Sequence, residues 1–179
     1  MKVIVEADGG SRGNPGPAGF GAVVWAEDHT TVLAEHGQAI GVTTNNVAEY
    51  RGLIAGLEEA RRLGAGEVAV RMDSKLVVEQ MSGRWKVKHP GMAELHQRAR
   101  ALASTFDSVS FAWIPREQNK HADRLANEAM DGLRSDAAVP DAGSVPTVGE
   151  PEQRAADPPP SAVAVPPSTW TGNRGGPTR

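Results

Sequence analysis

Four carboxylates stand in four distinct strings of this chain: Asp8 in EADGGSRGNPGPAGFG, Glu49 in TTNNVAEYRG, Asp73 in VAVRMDSKLV and Asp123 in NKHADRLANEA. Each lies at the end of an apolar, strand-like run or near the start of a helix-like one. Acids delivered repeatedly to element ends suggest one shared site. Ligand sets made only of oxygen select hard cations such as Mg²⁺, with Mn²⁺ as a substitute. Two such ions about 3.5–4 Å apart are common machinery for cutting a phosphodiester. Plainer readings stay open beside this one. Asp73 can cap the helix that follows it, and Asn46-x-x-Glu49 fits a capping box. Asn119 can cap the last helix, leaving Asp123 as a favourable charge in its first turn, and Asp8 before Gly9-Gly10 can be a turn acid. None of these readings accounts for the polar strings around the acids.

The elements that must position the acids follow from periodicity. Val3 to Val5 reads as a strand ending in a Gly9-Gly10 turn. After the GNPGPAG loop, Phe20 to Trp25 and Thr31 to Ile40 read as two more strands, joined around Asp28-His29. Val47, Tyr50, Leu53, Ile54 and Leu57 recur at helical spacing, and that helix stops at Gly64-Ala65-Gly66. Glu67 to Met72 is a buried strand, followed by a short helix from about Ser74 to Met81. Pro90 opens a helix carrying Met92, Leu95, Ala99, Leu102 and Phe106, and Val109 to Ile114 is a fifth strand. A last helix carries Ala122, Leu125, Ala126, Ala129 and Met130 on one face. The order βββαβααβα implies a mixed sheet of the α/β class. A right-handed crossover lays strand four parallel to strand one and brings Asp8 beside Asp73.

Composition narrows the function classes. The chain has 179 residues and no cysteine, so disulfide frameworks and thiolate metal sites are excluded. No apolar run approaches the roughly 20 residues of a membrane span. The opening KVIVEADGG is too short and too soon acidic for a signal peptide, so a cytoplasmic protein is the expectation. Residues 1–135 hold 16 Lys/Arg against 17 Asp/Glu; with four acids neutralised by metal the balance becomes 16 against 13, compatible with phosphate contacts. The composition breaks near Ser135. Residues 136–179 contain nine prolines and no apolar periodicity, which predicts a Pro/Ala/Gly-rich disordered or polyproline-like tail after a domain at 1–135.

Taken together, DGGSRGNPGPAGFGAVV, TTNNVAEYRGLIAGL, MDSKLVVEQMSGRWKVK and PREQNKHADRLANEAM resemble the ribonuclease H type I family, in its order and at its spacings, over about residues 1–133. The compact form that leads certain two-domain actinobacterial proteins is the most similar variety. The second domain there resembles an acid phosphatase, which this chain would lack. The resemblance implies a five-stranded mixed sheet in the order 3-2-1-4-5. It also implies a hybrid-specific endonuclease that cuts the RNA strand of RNA–DNA hybrids with two metal ions, leaving 5′-phosphate and 3′-hydroxyl ends. Carried over position by position, it makes Asp8, Glu49, Asp73 and Asp123 the metal-binding catalytic set. Asn45 and Asn46 match the pair that contacts the hybrid's minor groove, where amides suit a 2′-OH and a base edge because they donate and accept at once. Asn14 and Thr44 match residues near the DNA-strand phosphate, while Gly9 and Gly10 admit close approach of the substrate strand. Trp85, flanked by Arg84, Lys86 and Lys88, corresponds to an aromatic on the substrate-facing ridge, although a core tryptophan at a helix junction is the competing reading. Trp25 and Trp113, inside strand runs, read as core, and His29, His36, His89 and His96 as surface.

Two departures matter. The long basic helix-loop of larger relatives is cut here to RWKVKHP, which predicts a weaker substrate grip with stronger salt dependence. The loop that carries a histidine in many relatives is only Pro115 to Lys120. His121 lies two residues before Asp123, about 200° around a helix from it, so Arg116 or Glu117 is left to substitute. Three rivals remain: a hybrid- or duplex-binding module without catalysis, a DNA-joining enzyme on the same scaffold, and a scaffold whose tail docks a partner or further domain through polyproline segments.

Overall fold

The first strand, β1 (Lys2–Ser11), alternates: Val3, Val5 and Ala7 are buried on one face, and Glu6 and Asp8 point to the other. The computed structural model describes residues 1–136. After β1 come β2 (Gly16–Ala26), β3 (Val32–Thr43), α1 (Asn45–Arg62), β4 (Glu67–Met72), α2 (Lys75–Met81), α3 (Pro90–Ala103), β5 (Ser108–Trp113) and α4 (Lys120–Asp136). The sheet runs β3-β2-β1-β4-β5, antiparallel through the first three and parallel from β1 to β4 to β5. This is the mixed sheet and strand order expected of the α/β class. From residue 137 onward, the proline-rich stretch lies outside the described residues.

Glycines decide how close the two flanking helices come. A Cβ on Gly9 would lie 2.2 Å from the Ala48 carbonyl carbon, so only glycine lets α1 rest on that face of β1. On the other face, a Cβ on Gly21 would lie 2.3 Å from the Ala122 oxygen, where α4 crosses β2. The Gly9-Gly10 pair is therefore not a turn, as the sequence suggested. β1 continues through it, pairing Gly9 with Phe20 and Ser11 with Ala18. The chain turns later, around Gly13 at φ 104° and the cis Asn14–Pro15 bond.

The main core lies between the sheet and α1–α3, built from Val3, Val5, Phe20, Val24, Tyr50, Leu53, Leu57, Val68, Val70 and Met72. Side chains of this size contribute about 1.5–3 kcal/mol each on full burial. Two local readings need correction. Trp113 is no core residue: it is 52% exposed at the end of edge strand β5, its indole N–H donating to the Asp73 backbone oxygen at 3.1 Å. Trp25 is half-buried and donates to Glu6 Oε2 at 2.9 Å. Nor are all the histidines free surface residues. His36 packs on Phe20 and His96 on Tyr50, while His29 reaches back to Glu6.

Candidate active site

The strands diverge where the site forms. The β1–β4 ladder ends at Ala7 opposite Met72. Beyond it β1 carries on with Asp8, paired only to β2, while Asp73 leaves β4 and turns into α2. The gap between the strands is open to Glu49 from α1. Carboxylate oxygens of Asp8, Glu49 and Asp73 lie within 4.8 Å of one another. They line a cleft of about 370 Å³ together with Gly9, Gly10, Ser11, Arg12, Asn45, Arg116, Asp123, Asn127 and Met130.

The local caps dispose of the plainer readings of Glu49 and Asp73, while Asp123 does stand in the first turn of α4. Thr44, not Asn46, caps α1, its hydroxyl accepting from Val47 N–H at 3.4 Å. Ser74, not Asp73, caps α2, accepting from Val77 N–H at 3.4 Å. Both acids are thereby left for the cleft. Asn119 is no simple cap either. It is fully buried, and its amide donates to Asp73 Oδ1 and to the Ala7 carbonyl, each at 2.9 Å. That one side chain ties the turn before α4 to both β1 and β4.

Asp123 stands somewhat apart. Arg116 donates to its Oδ1 at 2.7 Å, and Asn127 donates to its backbone oxygen at 2.9 Å. His121 faces away, paired with Glu35 and edge-on to Trp25, so it does not reach the acids. Of Arg116 and Glu117, the two residues left to stand in for the loop histidine, only Arg116 lines the cleft.

Electrostatics mark the cluster. Burial first, then repulsion from Asp73 and Asp123, push the Asp8 carboxyl up to about 8. Burial, Asp8 and Asp73 likewise hold the Glu49 carboxyl well above its usual range. Glu49 Oε2 is buried without a hydrogen-bond partner. A buried, unpartnered carboxylate oxygen beside two further acids is costly, unless a cation supplies the missing charge. An all-oxygen donor set of this kind fits a hard divalent ion.

The polar string of the β1–β2 turn is fastened to α1. Ser11 donates through both N–H and hydroxyl to Asn45 Oδ1, at 2.7 and 2.8 Å, and Asn45 N–H donates to Asn14 Oδ1 at 3.2 Å. Asn14, Thr44, Asn45 and Asn46 thus gather at the start of α1, beside Glu49. Trp85 sits apart, half-buried in the connection between α2 and α3, and does not line the cleft. Sequence reasoning missed Arg12, whose guanidinium donates to Asn127 at 3.1 Å and Asp131 at 3.0 Å. It also missed the structural use of Asn119. The only signal for either was a polar residue inside a string already singled out.

Comparison with known proteins agrees. A family profile described as "Reverse transcriptase-like" matches residues 6–129. The "Bifunctional protein Rv2228c" of Mycobacterium tuberculosis is 59% identical over 181 residues, covering 100% of this chain but 46% of its own length. The chain thus spans about half the length of the curated relatives it matches. The solved N-terminal ribonuclease H domain of that protein, fused to maltose binding protein, is 68% identical, with a TM-score of 0.76 over 77% of this chain and 99% of its own. LC11-RNase H1, solved in complex with an RNA/DNA hybrid, is 44% identical, with a TM-score of 0.70 over 74% of this chain and 99% of its own. With sequence, fold and the convergence of Asp8, Glu49 and Asp73 in agreement, the chain belongs to the ribonuclease H type I family.

Proposed function

We propose that this chain is a ribonuclease H: an endonuclease that hydrolyses the RNA strand of RNA–DNA hybrids, leaving 5′-phosphate and 3′-hydroxyl ends. The observation that carries the reading is the meeting of the Asp8, Glu49 and Asp73 oxygens within 4.8 Å, with a buried Glu49 oxygen left unpartnered. A relative crystallised on an RNA/DNA hybrid supports the substrate class.

Asp8, Glu49, Asp73 and Asp123 would hold two Mg²⁺ ions, with Mn²⁺ as a substitute. Such ions supply charge that activates an attacking water and stabilises the leaving 3′ oxygen. The chain's own residues do the rest. Asn119 fixes Asp73 in orientation through Oδ1, and Trp113 fixes the backbone that carries it. Arg116, an exposed cation at the rim, pairs with Asp123, which would also be a ligand for metal. Asn45 and Asn46 would face the minor groove; the Asn45 Oδ1 is engaged by Ser11, which leaves its amide N–H₂ as the group to donate. Gly9 and Gly10 keep the cleft floor free of side chains. Asn14 and Thr44 sit on the side of the DNA strand, and Trp85 with its flanking cations meets that strand's backbone. The site of action is the cytoplasm; among the described residues no helix is long and apolar enough to cross a membrane. A further domain or partner attaches through the proline-rich tail.

The test is cleavage of an end-labelled RNA–DNA hybrid with and without Mg²⁺, beside duplex DNA and duplex RNA. Metal-dependent cutting of the hybrid alone supports the reading. Metal-dependent binding without cutting would leave a silent recognition module, and cutting of duplex DNA would point to a DNA-joining enzyme.

A further inference from the structure

A buried polar junction lies behind the cleft, where α1, α2, α3 and the segment 82–89 meet. Tyr50, the residue after Glu49, has no exposed surface, and its hydroxyl donates to Gln80 Oε1 at 2.6 Å. Gln80 is 6% exposed and uses both ends of its amide, for Nε2 donates onward to the Lys86 carbonyl at 3.4 Å. The backbone oxygen of Gln80 accepts from Gly83 N–H at 3.1 Å and from His96 Nε2 at 3.2 Å. A carbonyl can only accept, so His96 carries its proton on Nε2, and its ring stands edge-on to Tyr50 with centroids 6.3 Å apart.

This junction has a consequence for the segment it holds. Residues 82–89 carry Arg84, Trp85, Lys86 and Lys88 but form no helix or strand of their own. Their backbone is held from α2, by Arg84 and Trp85 N–H to the Glu79 oxygen at 3.0 and 3.2 Å, and from Gln80 through Lys86. Tyr50 connects this hold to the helix turn that bears Asn45, Asn46 and Glu49. We propose that Tyr50 and Gln80 are positioning residues that set the Trp85 segment at a fixed span from the carboxylates, so that one hybrid engages both at once. The proposal rests on the hybrid-cleaving reading above. It assigns the junction to substrate grip, in a chain whose basic segment is too short to organise itself.

The experiment uses Tyr50→Phe in the full chain, which deletes one oxygen and keeps the ring packed. Two readouts are taken: steady-state cleavage of a hybrid, and amide hydrogen exchange of residues 84–88 in the free protein. The expected result is a KM raised about tenfold, the worth of one buried hydrogen bond, with kcat and the Mg²⁺ half-saturation within twofold of wild type. Exchange at 84–88 should quicken while α1 and the strands stay protected. Combining Tyr50→Phe with Trp85→Ala should raise KM little beyond Trp85→Ala alone, because both act through the same contact. An unchanged KM beside a lowered melting temperature would reduce the junction to core structure and overturn the proposal. A fall in kcat at unchanged KM would overturn it too, placing the effect on Glu49 instead. If the wild type does not cut hybrids, the functional reading fails, and the exchange data alone decide the positioning claim: unchanged exchange at 84–88 refutes it.

Discussion

Two buried acids sit on the same face of β1, two residues apart, in opposite electrostatic circumstances. Glu6 is 2% exposed and Asp8 8%. Glu6 is fully provided for: Trp25 donates to Oε2 at 2.9 Å, His29 Nε2 donates to Oε1 at 2.7 Å, and the Arg71 guanidinium lies 3.8 Å away. His29 accepts a further bond from Arg71 on Nδ1 at 3.5 Å, which places its single ring proton toward the carboxylate. Asp8 has acids for neighbours, and the positive group that acts on it, Arg116, is already committed to Asp123. A buried carboxylate with built-in partners is a structural member. One surrounded by other carboxylates is a site that a cation completes. Burial alone does not distinguish the two; the neighbours do.

The comparison breaks most easily at activity. Asp8→Asn should abolish cleavage, about a thousandfold or more, because a neutral amide is a poor ligand for a hard cation. Glu6→Gln should leave cleavage per folded molecule within a few-fold. Near-normal turnover of Asp8→Asn, or an inactive but folded Glu6→Gln, would invert the assignment. In stability the order reverses. Glu6→Gln strips the counter-charge from Arg71 and should cost about 2–3 kcal/mol in denaturant unfolding, less than a fully buried pair because Arg71 and His29 are partly exposed.

The start of α1 offers a second contrast, between residues that cap and residues that face outward. Thr44 already caps the helix. Replacing Asn45 and Asn46 together by alanine should therefore weaken hybrid affinity and cleavage efficiency by well over tenfold, at about 1–3 kcal/mol for each polar contact left unpaired. Mg²⁺ affinity should hold. Unchanged hybrid affinity with reduced stability would show that the pair only braces the Ser11–Asn14 turn.

The smallest effect is a pH signature of the metal-free protein. The Asp8 carboxyl sits at about 8 in the fold, against 3.8 ordinarily. Well below pH 4 both folded and unfolded chains carry the proton, and no charge is buried. As pH rises from about 4 to about 8, the unfolded chain ionises while the fold still holds the proton, so stability drains away and levels off above 8. The melting temperature of Asp8→Asn should thus exceed that of wild type by a margin of a few degrees that grows between pH 5 and 8. Mg²⁺ should close the gap by binding the folded wild type. A margin that is flat with pH would mean that the acids are relieved in some other way.

How much of this was legible beforehand follows from the range of each signal. Val3, Val5 and Ala7 alternate and Val47, Tyr50, Leu53, Ile54 and Leu57 recur within single elements, so a local pattern sufficed to read β1 and α1, while the sheet order followed from the family resemblance. The four acids were legible because each sits in a string of its own. The Gly9-Gly10 pair was misread as a turn, since glycine serves turns and close approaches alike, and only the position of Ala48 distinguishes them. Trp113 was misread because an apolar residue in a strand run looks buried until the strand proves to be the sheet's edge.

By itself, then, the sequence determined the elements and their succession, which rest on propensity and spacing along the chain, and its family resemblance singled out the four acids. Only the tertiary structure decided which acids lack counter-ions, that Asn119 spans 112 residues to reach Ala7, and that Tyr50 meets Gln80 thirty residues on. The physical reason is that charge compensation and hydrogen-bond satisfaction depend on distances of a few ångströms across the fold, which no one-dimensional period encodes.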